Sequence, residues 1–512
     1  MKKELSRSEF LRRMALLSGG VSLGISGMPG QAYAQLPADL QASVSPGNAL
    51  VIIQLSGGND GLNTVIPAEN DVYFAKRPDI AIKKADAIAL KNGMYLHPSM
   101  TAIKSLYDQG NVSIIQNVGY ANPNRSHFRA TDIWNTGSDS NVVWEEGWAA
   151  RYLVEKYPSY PISMPSHPMA IQLGSVESLL FQSDVGRFGT VFEDPTLFYQ
   201  LVSGTLSDDE IPPATLAGDE LAFLKQISST SIQYSTVIKD KALIGKNSVT
   251  YPATNLAKQL GIVARLITGG LETPVYMCSI GGFDTHANQL TQHANLWKQI
   301  SDAVAAFQKD LKTQNKADSV TLMTYSEFGR RVNQNGTTGT DHGTAAPMFV
   351  IGNTVRGGII GDNPSLTNLD SNGDLKPSFD YRQIYSTILM DHLGVTSGST
   401  TAIFKKSFER LPIFLNSPLL PETGVKVILL DPAPNPAVGS VRIQYAVFES
   451  MKLEIALYNM VGEKVGSIFS GDVLNGTYSQ LVDTRTFSAG NYLISLASSS
   501  GARITKRLII IN

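Results

Sequence analysis

The sequence predicts an α/β domain built on a mostly parallel central sheet flanked by helices, followed by a small all-β sandwich domain. Three observations carry this expectation. Short apolar runs end abruptly in polar, glycine-bearing clusters, helical stretches lie between those runs, and near residue 416 the texture changes to short alternating runs separated by turn residues.

The apolar runs come first. Asn48–Leu55 is rich in β-branched residues and passes straight into Ser56-Gly57-Gly58-Asn59-Asp60-Gly61. A continuous apolar run of this length fits a strand buried on both faces, as in a parallel sheet. The pattern recurs at Val112–Val118, Pro274–Ile280 and Val320–Thr324, each followed by a polar cluster. Between the last two, Leu290–Lys312 places Leu296, Ile300, Val304 and Phe307 at helical spacing. Strands alternating with helices give a parallel sheet, and in such sheets ligands bind beyond the carboxyl ends of the strands. All four polar clusters fall at those ends.

Residues 416–440 contain Pro418, Pro421, Pro432, Pro434 and Pro436 and read as a linker. Alternating runs follow at Val441–Phe448, Lys452–Asn459, Tyr478–Asp483, Asn491–Ala497 and Arg503–Ile511, with turn signals between them. Short strands at this density predict a sandwich over 441–512, and no chemistry is assigned to it. The α/β domain is expected over 45–415.

The first 34 residues read as a signal peptide. Arg12-Arg13 forms a charged start, Met14–Met28 is mildly apolar and rich in Gly and Ser, and Ala32-Tyr33-Ala34 is a small-x-small cleavage site. The paired arginines indicate the twin-arginine (Tat) export route and so the Tat translocase as a partner. No later segment is apolar for long enough to predict a transmembrane helix. A net charge of −2 over 512 residues argues against nucleic acid as a partner. The lone Cys278 lies inside an apolar run and reads as a buried structural thiol.

The strand-end clusters offer Asp60, Ser126 with His127, Asp284 with His286, Glu327, and Asp341 with His342. Carboxylates and imidazoles converging on one rim suit a divalent-metal hydrolase, because oxygen ligands hold hard ions and imidazole suits zinc or manganese. Magnesium and calcium stay open as alternatives. Ser126 would be the nucleophile, and Arg125, Arg330 or Arg331 would pair with an anionic ester substrate through fork geometry. Each residue also has a plainer role. Asp60 would be a turn residue in Asn-Asp-Gly, Ser126 and Asp284 helix caps, and Glu327 a surface partner of Arg330. His97, His167, His293 and His392 read as structural, with His293, seven residues after His286, the nearest to an exception.

The motifs Leu55–Asn63, Asn124-Arg125-Ser126-His127-Phe128, Gly282-Phe283-Asp284-Thr285-His286, Ser326-Glu327-Phe328-Gly329-Arg330 and Thr340-Asp341-His342-Gly343 together resemble an uncharacterised family of Tat-exported bacterial proteins. That family is grouped with the alkaline phosphatase and sulfatase superfamily. The resemblance covers about residues 45–415. It implies an alkaline phosphatase-like fold, with Asp60 as the first-strand metal aspartate, Ser126 as nucleophile, and Asp284 and His286 as a metal pair. Two alignments compete for the rest. Asp341-His342-Gly343 looks like the superfamily's Asp-His-Gly motif, yet Glu327 holds the place directly after its strand. On the second, preferred alignment Glu327 replaces the aspartate, Phe328 replaces a histidine, and His342 is the later, lone histidine. The tail motifs Pro434-Asn435-Pro436, Leu457–Gly462, Gly490-Asn491-Tyr492-Leu493 and Lys506–Ile511 resemble the type IX secretion sorting domain. This implies the type IX machinery as a partner, transit through the periplasm, and a final place at the cell surface or in the medium. The expected function is a secreted hydrolase of phosphate or sulfate esters. The alternative is a non-catalytic surface binding or assembly protein on a degenerate scaffold. A serine hydrolase is the weakest option, since no G-x-S-x-G elbow is present.

Overall fold

A computed structural model describes residues 47–203, 234–419, 425–474 and 476–511. The expected signal peptide at 1–34 lies outside the described residues. No described helix is long and apolar enough to cross a membrane.

The first unit is a nine-stranded sheet. Its strands are β1 (Ala49–Leu55), β2 (Val112–Gly119), β3 (Ala170–Leu173), β4 (Gly189–Phe192), β5 (Val275–Ile280), β6 (Val320–Tyr325), β7 (Ala346–Gly352), β8 (Gly358–Ile360) and β9 (Phe379–Asp380). They run in the order β8-β2-β7-β6-β1-β5-β3-β4, with β9 also against β2. The neighbours β6, β1, β5, β3 and β4 are parallel, as are β2, β8 and β9. Only β7 is reversed, pairing antiparallel with both β2 and β6. That double reversal leaves β2 pointing the same way as β1, β5 and β6, so the four polar clusters share one rim.

The runs are apolar throughout because both faces are covered. Val51, Ile53 and Leu55 of β1 face α1 (Thr101–Asp108), α4 (Asn255–Thr268) and α5 (Gln289–Thr313). Leu50 and Ile52 face α2 (His127–Thr136), α3 (Trp148–Lys156) and α6 (Tyr381–Asp391). The expected helix at Leu290–Lys312 is α5, one residue longer at each end. Cys278 is fully buried, as expected, and burial pushes its thiol pKa up.

The tail holds β10 (Val427–Leu429), β11 (Ala433–Val438), β12 (Ser440–Val447), β13 (Met451–Asn459), β14 (Lys464–Val473), β15 (Gly476–Asp483), β16 (Gly490–Ser498) and β17 (Arg503–Ile510). These pair antiparallel, except that β11 meets β17 in parallel, around one core that includes Ile443, Tyr445, Ile455, Leu457, Ile494 and Leu508. The proline-rich stretch 416–440 is corrected here. It is no plain linker, because β10 and β11 lie within it and bury Val427, Leu429 and Ala437. Prolines lack the N–H of a ladder bond, so β11 pairs sparsely, through Ala433 with Arg442, Val438 with Ser440, and Ala437 with Ile510. This sparse pairing is what made the stretch read as a connector.

Three buried histidines tie stability to pH. Burial lowers the pKa of His97 to about 4, His293 to about 3 and His392 to about 4. His392 stacks on Phe414 and its Nε2 donates to the Ala49 carbonyl at 3.0 Å, which pins the start of β1. A histidine whose folded pKa is depressed takes its proton first in the unfolded chain. Its stabilising effect is complete above the unfolded pKa near 6.5 and is lost as pH falls toward 4. Each such histidine contributes on the order of 3 kcal/mol over that window. Thermal unfolding followed from pH 7 to pH 4.5 is expected to show a steep fall in Tm, shallower in His392→Asn; an equal slope in that variant would contradict the assignment.

Candidate functional site

The rim is assembled from five loops. The turn after β1 needs glycine twice. Gly57 and Gly58 have φ of +120° and +85°, and a Cβ on Gly57 would collide with the backbone of Asp284. The β2–α2 loop brings Arg125, Ser126 and His127, and the turn after β5 brings Asp284 and His286. The turn after β6 brings Glu327, Phe328 and Arg330, and the approach to β7 brings Asp341 and His342.

Three imidazoles gather around one carboxylate. Asp284 Oδ1 lies 3.1 Å from His286 Nε2, 3.2 Å from His342 Nε2 and 3.7 Å from His127 Nε2. The Nε2 atoms of His286 and His342 are 3.0 Å apart. On the far side of each ring, Nδ1 has its own partner: Glu327 Oε1 at 2.9 Å for His127, Asp341 Oδ1 at 3.2 Å for His286, and the Arg125 carbonyl at 2.8 Å for His342. A carbonyl or carboxylate oxygen only accepts, so each Nδ1 donates. These partners assign the tautomer. Each ring then turns its Nε2 toward the centre and Asp284.

Glu327 is buried and is held in place by the Gly57 N–H at 2.8 Å. Phe328, also buried, packs its ring 4.9 Å from His127 and 4.6 Å from His342, forming an apolar floor. Burial raises the Asp284 pKa, yet the opposing pull, led by the Arg330 hydrogen bond, makes the net shift downward.

Several expected roles change. Asp60 does not face this centre. It is fully buried, pairs with Arg77 Nη1 at 2.6 Å, accepts the Leu62 N–H at 3.2 Å as a helix cap, and accepts from Gln289 Nε2. Burial raises its pKa, yet Arg77 outweighs that and holds it below the usual range. Arg330 is no free anion clamp either. Its guanidinium is completely buried and donates to the carbonyls of Gly57, Gly58, Phe283 and Thr340, and to Asp284 at 2.7 Å. Glu327 and Asp341 stand behind the histidines they orient, where ligands were expected. Asp284, His286 and His342 do come together. Ser126 sits at the N-cap of α2, but its side chain makes no cap hydrogen bond, so the plain capping role is not taken up. His127 was named beside Ser126 but not among the expected ligands, although a histidine opening the helix after a strand-end loop was the available signal. His127, Asp284 and His342 offer one ligand atom each within 4.8 Å of one another.

Gln289, the first residue of α5, links the rim to the buried pair. Its Oε1 accepts from Thr285 Oγ1 at 3.0 Å and Thr340 Oγ1 at 2.6 Å, while Nε2 reaches Asp60. One buried amide thus fixes the loop of Asp284 and His286 to the loop of Asp341 and His342.

Known proteins share parts of this chain. Residues 239–405 match the family model described as a protein of unknown function, DUF1501. Residues 433–511 match the secretion system C-terminal sorting domain. The chain thus carries a DUF1501 domain and a C-terminal sorting domain. The DUF1501 match contains Asp284, His286, Glu327, Arg330, Asp341 and His342, while His127 and Asp60 precede it. No curated protein matches the chain. Among solved structures, an alkaline phosphatase superfamily protein from Vibrio parahaemolyticus is 9% identical, with 80% of this chain and 77% of that one covered, at a TM-score of 0.35. The PsFucS1 sulfatase from Pseudoalteromonas sp. is 11% identical, with 88% and 86% covered, at a TM-score of 0.32. A Bacteroides thetaiotaomicron protein from a glycosaminoglycan-metabolism locus is 8% identical, with 86% and 90% covered, at 0.36. At such scores nothing of their chemistry transfers to this chain.

The Asp60–Arg77 assignment has a direct check. Removing one member of a buried pair strands the other charge, so Arg77→Met is expected to cost roughly 3–5 kcal/mol in urea unfolding. Asp60→Asn added to Arg77→Met recovers part of that loss. A double variant no more stable than Arg77→Met alone would contradict the pair.

Proposed function

We propose that the residues around Asp284 bind a divalent cation and that the chain is a secreted, metal-dependent hydrolase of phosphate or sulfate esters. One observation carries this reading: the convergence of three Nε2 atoms on the Asp284 carboxylate, with each Nδ1 already committed elsewhere. Two ring nitrogens 3.0 Å apart hold a positive centre between them, a shared proton or a metal ion. Ligand atoms on a tetrahedral ion with bonds of 2.0–2.1 Å stand roughly 3.3 Å from one another; the distances from Asp284 to the rings and between His286 and His342 run from 3.0 to 3.7 Å, and His127, Asp284 and His342 lie within 4.8 Å of one another. Nδ1 bonded to a carboxylate or carbonyl is also the usual support of a metal-bound histidine. The donor set fits a divalent ion, and imidazole with carboxylate suits zinc or manganese better than magnesium or calcium. Asp284, His342, His127 and His286 would hold it.

A bound ion of this class supplies Lewis acidity and lowers the pKa of an oxygen nucleophile. The chain supplies the rest. Glu327 and Asp341 hold the rings of His127 and His286 in orientation. Ser126 offers an uncommitted hydroxyl next to His127, where the first N–H groups of α2 favour an anion. Arg125 is the partly exposed guanidinium nearest in sequence, although Asp374 already pairs with it. The C-terminal sorting domain marks the chain for type IX secretion to the cell surface or medium. In our reading the Tat route and the periplasm precede that step, so the cluster would be folded before export.

The second reading, a non-catalytic surface protein, is favoured by Arg330. The guanidinium expected to grip the anion is fully used inside the protein. Elemental analysis of the purified chain, joined to a screen of phosphate and sulfate monoesters, separates the two. The hydrolase reading expects one divalent ion per chain and turnover of at least one ester. His342→Ala loses the ion, and Glu327→Gln weakens its binding roughly 10–100-fold. Absence of a stoichiometric ion, or binding unchanged in His342→Ala, sinks the metal site. A bound ion with no ester turned over selects the non-catalytic reading.

A further inference from the structure

Between α2 and the carboxyl ends of β1, β3 and β5 lies a cavity of 260 Å³. Thr131, on its wall, is one helical turn from His127, about 6 Å along the axis, so α2 links the cavity to the candidate metal site. Its inner wall is firm. Cys278 and Asn135 are buried. Gln172 is fixed through both ends, giving to the Val176 carbonyl at 2.7 Å and accepting the Ser178 N–H at 2.9 Å. Glu177 is paired with Arg187 at 2.9 Å.

What remains is a set of uncommitted polar groups from separate elements. Gln54 of β1, Thr131 and Asp132 of α2, and Ser279 of β5 all line the cavity. Their side chains have no hydrogen-bond partner among the described residues. Asn135 Oδ1 accepts from the Tyr325 hydroxyl at 3.0 Å, which leaves its amide N–H groups. No lysine, arginine or histidine lines the cavity, while two carboxylates do. With Glu177 already paired with Arg187, an anion here meets Asp132 and no free cation among the described residues. Amides and hydroxyls offer both donors and acceptors, and Asp132 offers acceptors, which together suit a group bearing several hydroxyls. The volume holds roughly nine water molecules at ~30 Å³ each, on the scale of one sugar ring.

We propose that this cavity is a subsite for an uncharged, hydroxyl-rich group such as a single glycosyl ring, the alcohol part of the ester whose anionic end meets the histidine cluster. The substrate class becomes a sugar ester. The second half of this statement rests on the metal-hydrolase reading; binding of the ring does not.

The test uses the full chain loaded with zinc and a panel of neutral methyl hexosides, with binding read by saturation-transfer NMR. Metal content is measured on the same samples. At least one hexoside is expected to bind, and Asp132→Leu and Gln54→Leu are each expected to weaken it roughly tenfold, the effect of losing a hydrogen bond in such a site. Metal content should stay unchanged in both variants. The proposal is overturned if no hexoside binds, if both variants bind like the parent, or if choline, a cationic amine, occupies the cavity in preference. A sample that binds the hexoside but holds no zinc supports the subsite and removes only the metal reading.

Discussion

The guanidinium of Arg330 is completely buried, and its positive charge meets carbonyls from the β1 turn, the β5 turn and the loop before β7, together with the carboxylate of Asp284. A charge taken out of water is costly unless every donor finds a partner. Those partners lie on three loops that are remote in sequence, so satisfying Arg330 fixes the loops against one another. Lysine could not replace it, since one ammonium lacks the planar fork that reaches several acceptors at once. The rim is rigid because this interaction leaves its loops few alternatives.

A second buried network works beneath the first. Asp60 and Arg77 neutralise each other, and Gln289 joins that pair to Thr285 and Thr340. Arg77 also donates to the carbonyls of Val332 and Arg331, which lie in the stretch between β6 and β7. The loops carrying Asp284, His286, Asp341 and His342 are therefore held from below as well as from the side. Glu327, Asp341 and the Arg125 carbonyl then set the ring orientations. The two networks thus hold the three Nε2 atoms turned toward Asp284.

Much of the fold was legible in the sequence. Apolar runs without alternation marked strands covered on both faces, and the polar residues directly after them marked the rim. The reversal of β7 was not legible, because a buried antiparallel strand and a buried parallel one have the same composition. The site was legible in its residues and less so in their roles. Asp284, His286 and His342 meet as their positions implied. Asp60 looked like a ligand because nothing local announces that Arg77 will neutralise it. Arg330 looked available because a buried arginine and a substrate-binding one are the same letter. Glu327 and His127 form one unit across 200 residues of chain, a pairing that only the fold creates. In the tail, β11 was hidden by its prolines, and β14, with Gly466 and Gly471, lacked a clear alternation.

The account rests on a cation bound by imidazole nitrogen at the rim, carried outward by a chain whose tail is a sorting domain. X-ray absorption at the metal edge of the zinc- or manganese-loaded chain reads that coordination shell directly. The account predicts an imidazole scattering signature with metal–nitrogen distances near 2.0–2.1 Å for zinc, diminished when His127 and His342 are both replaced by Ala. An all-oxygen shell, or a spectrum that the double replacement leaves unchanged, would contradict it.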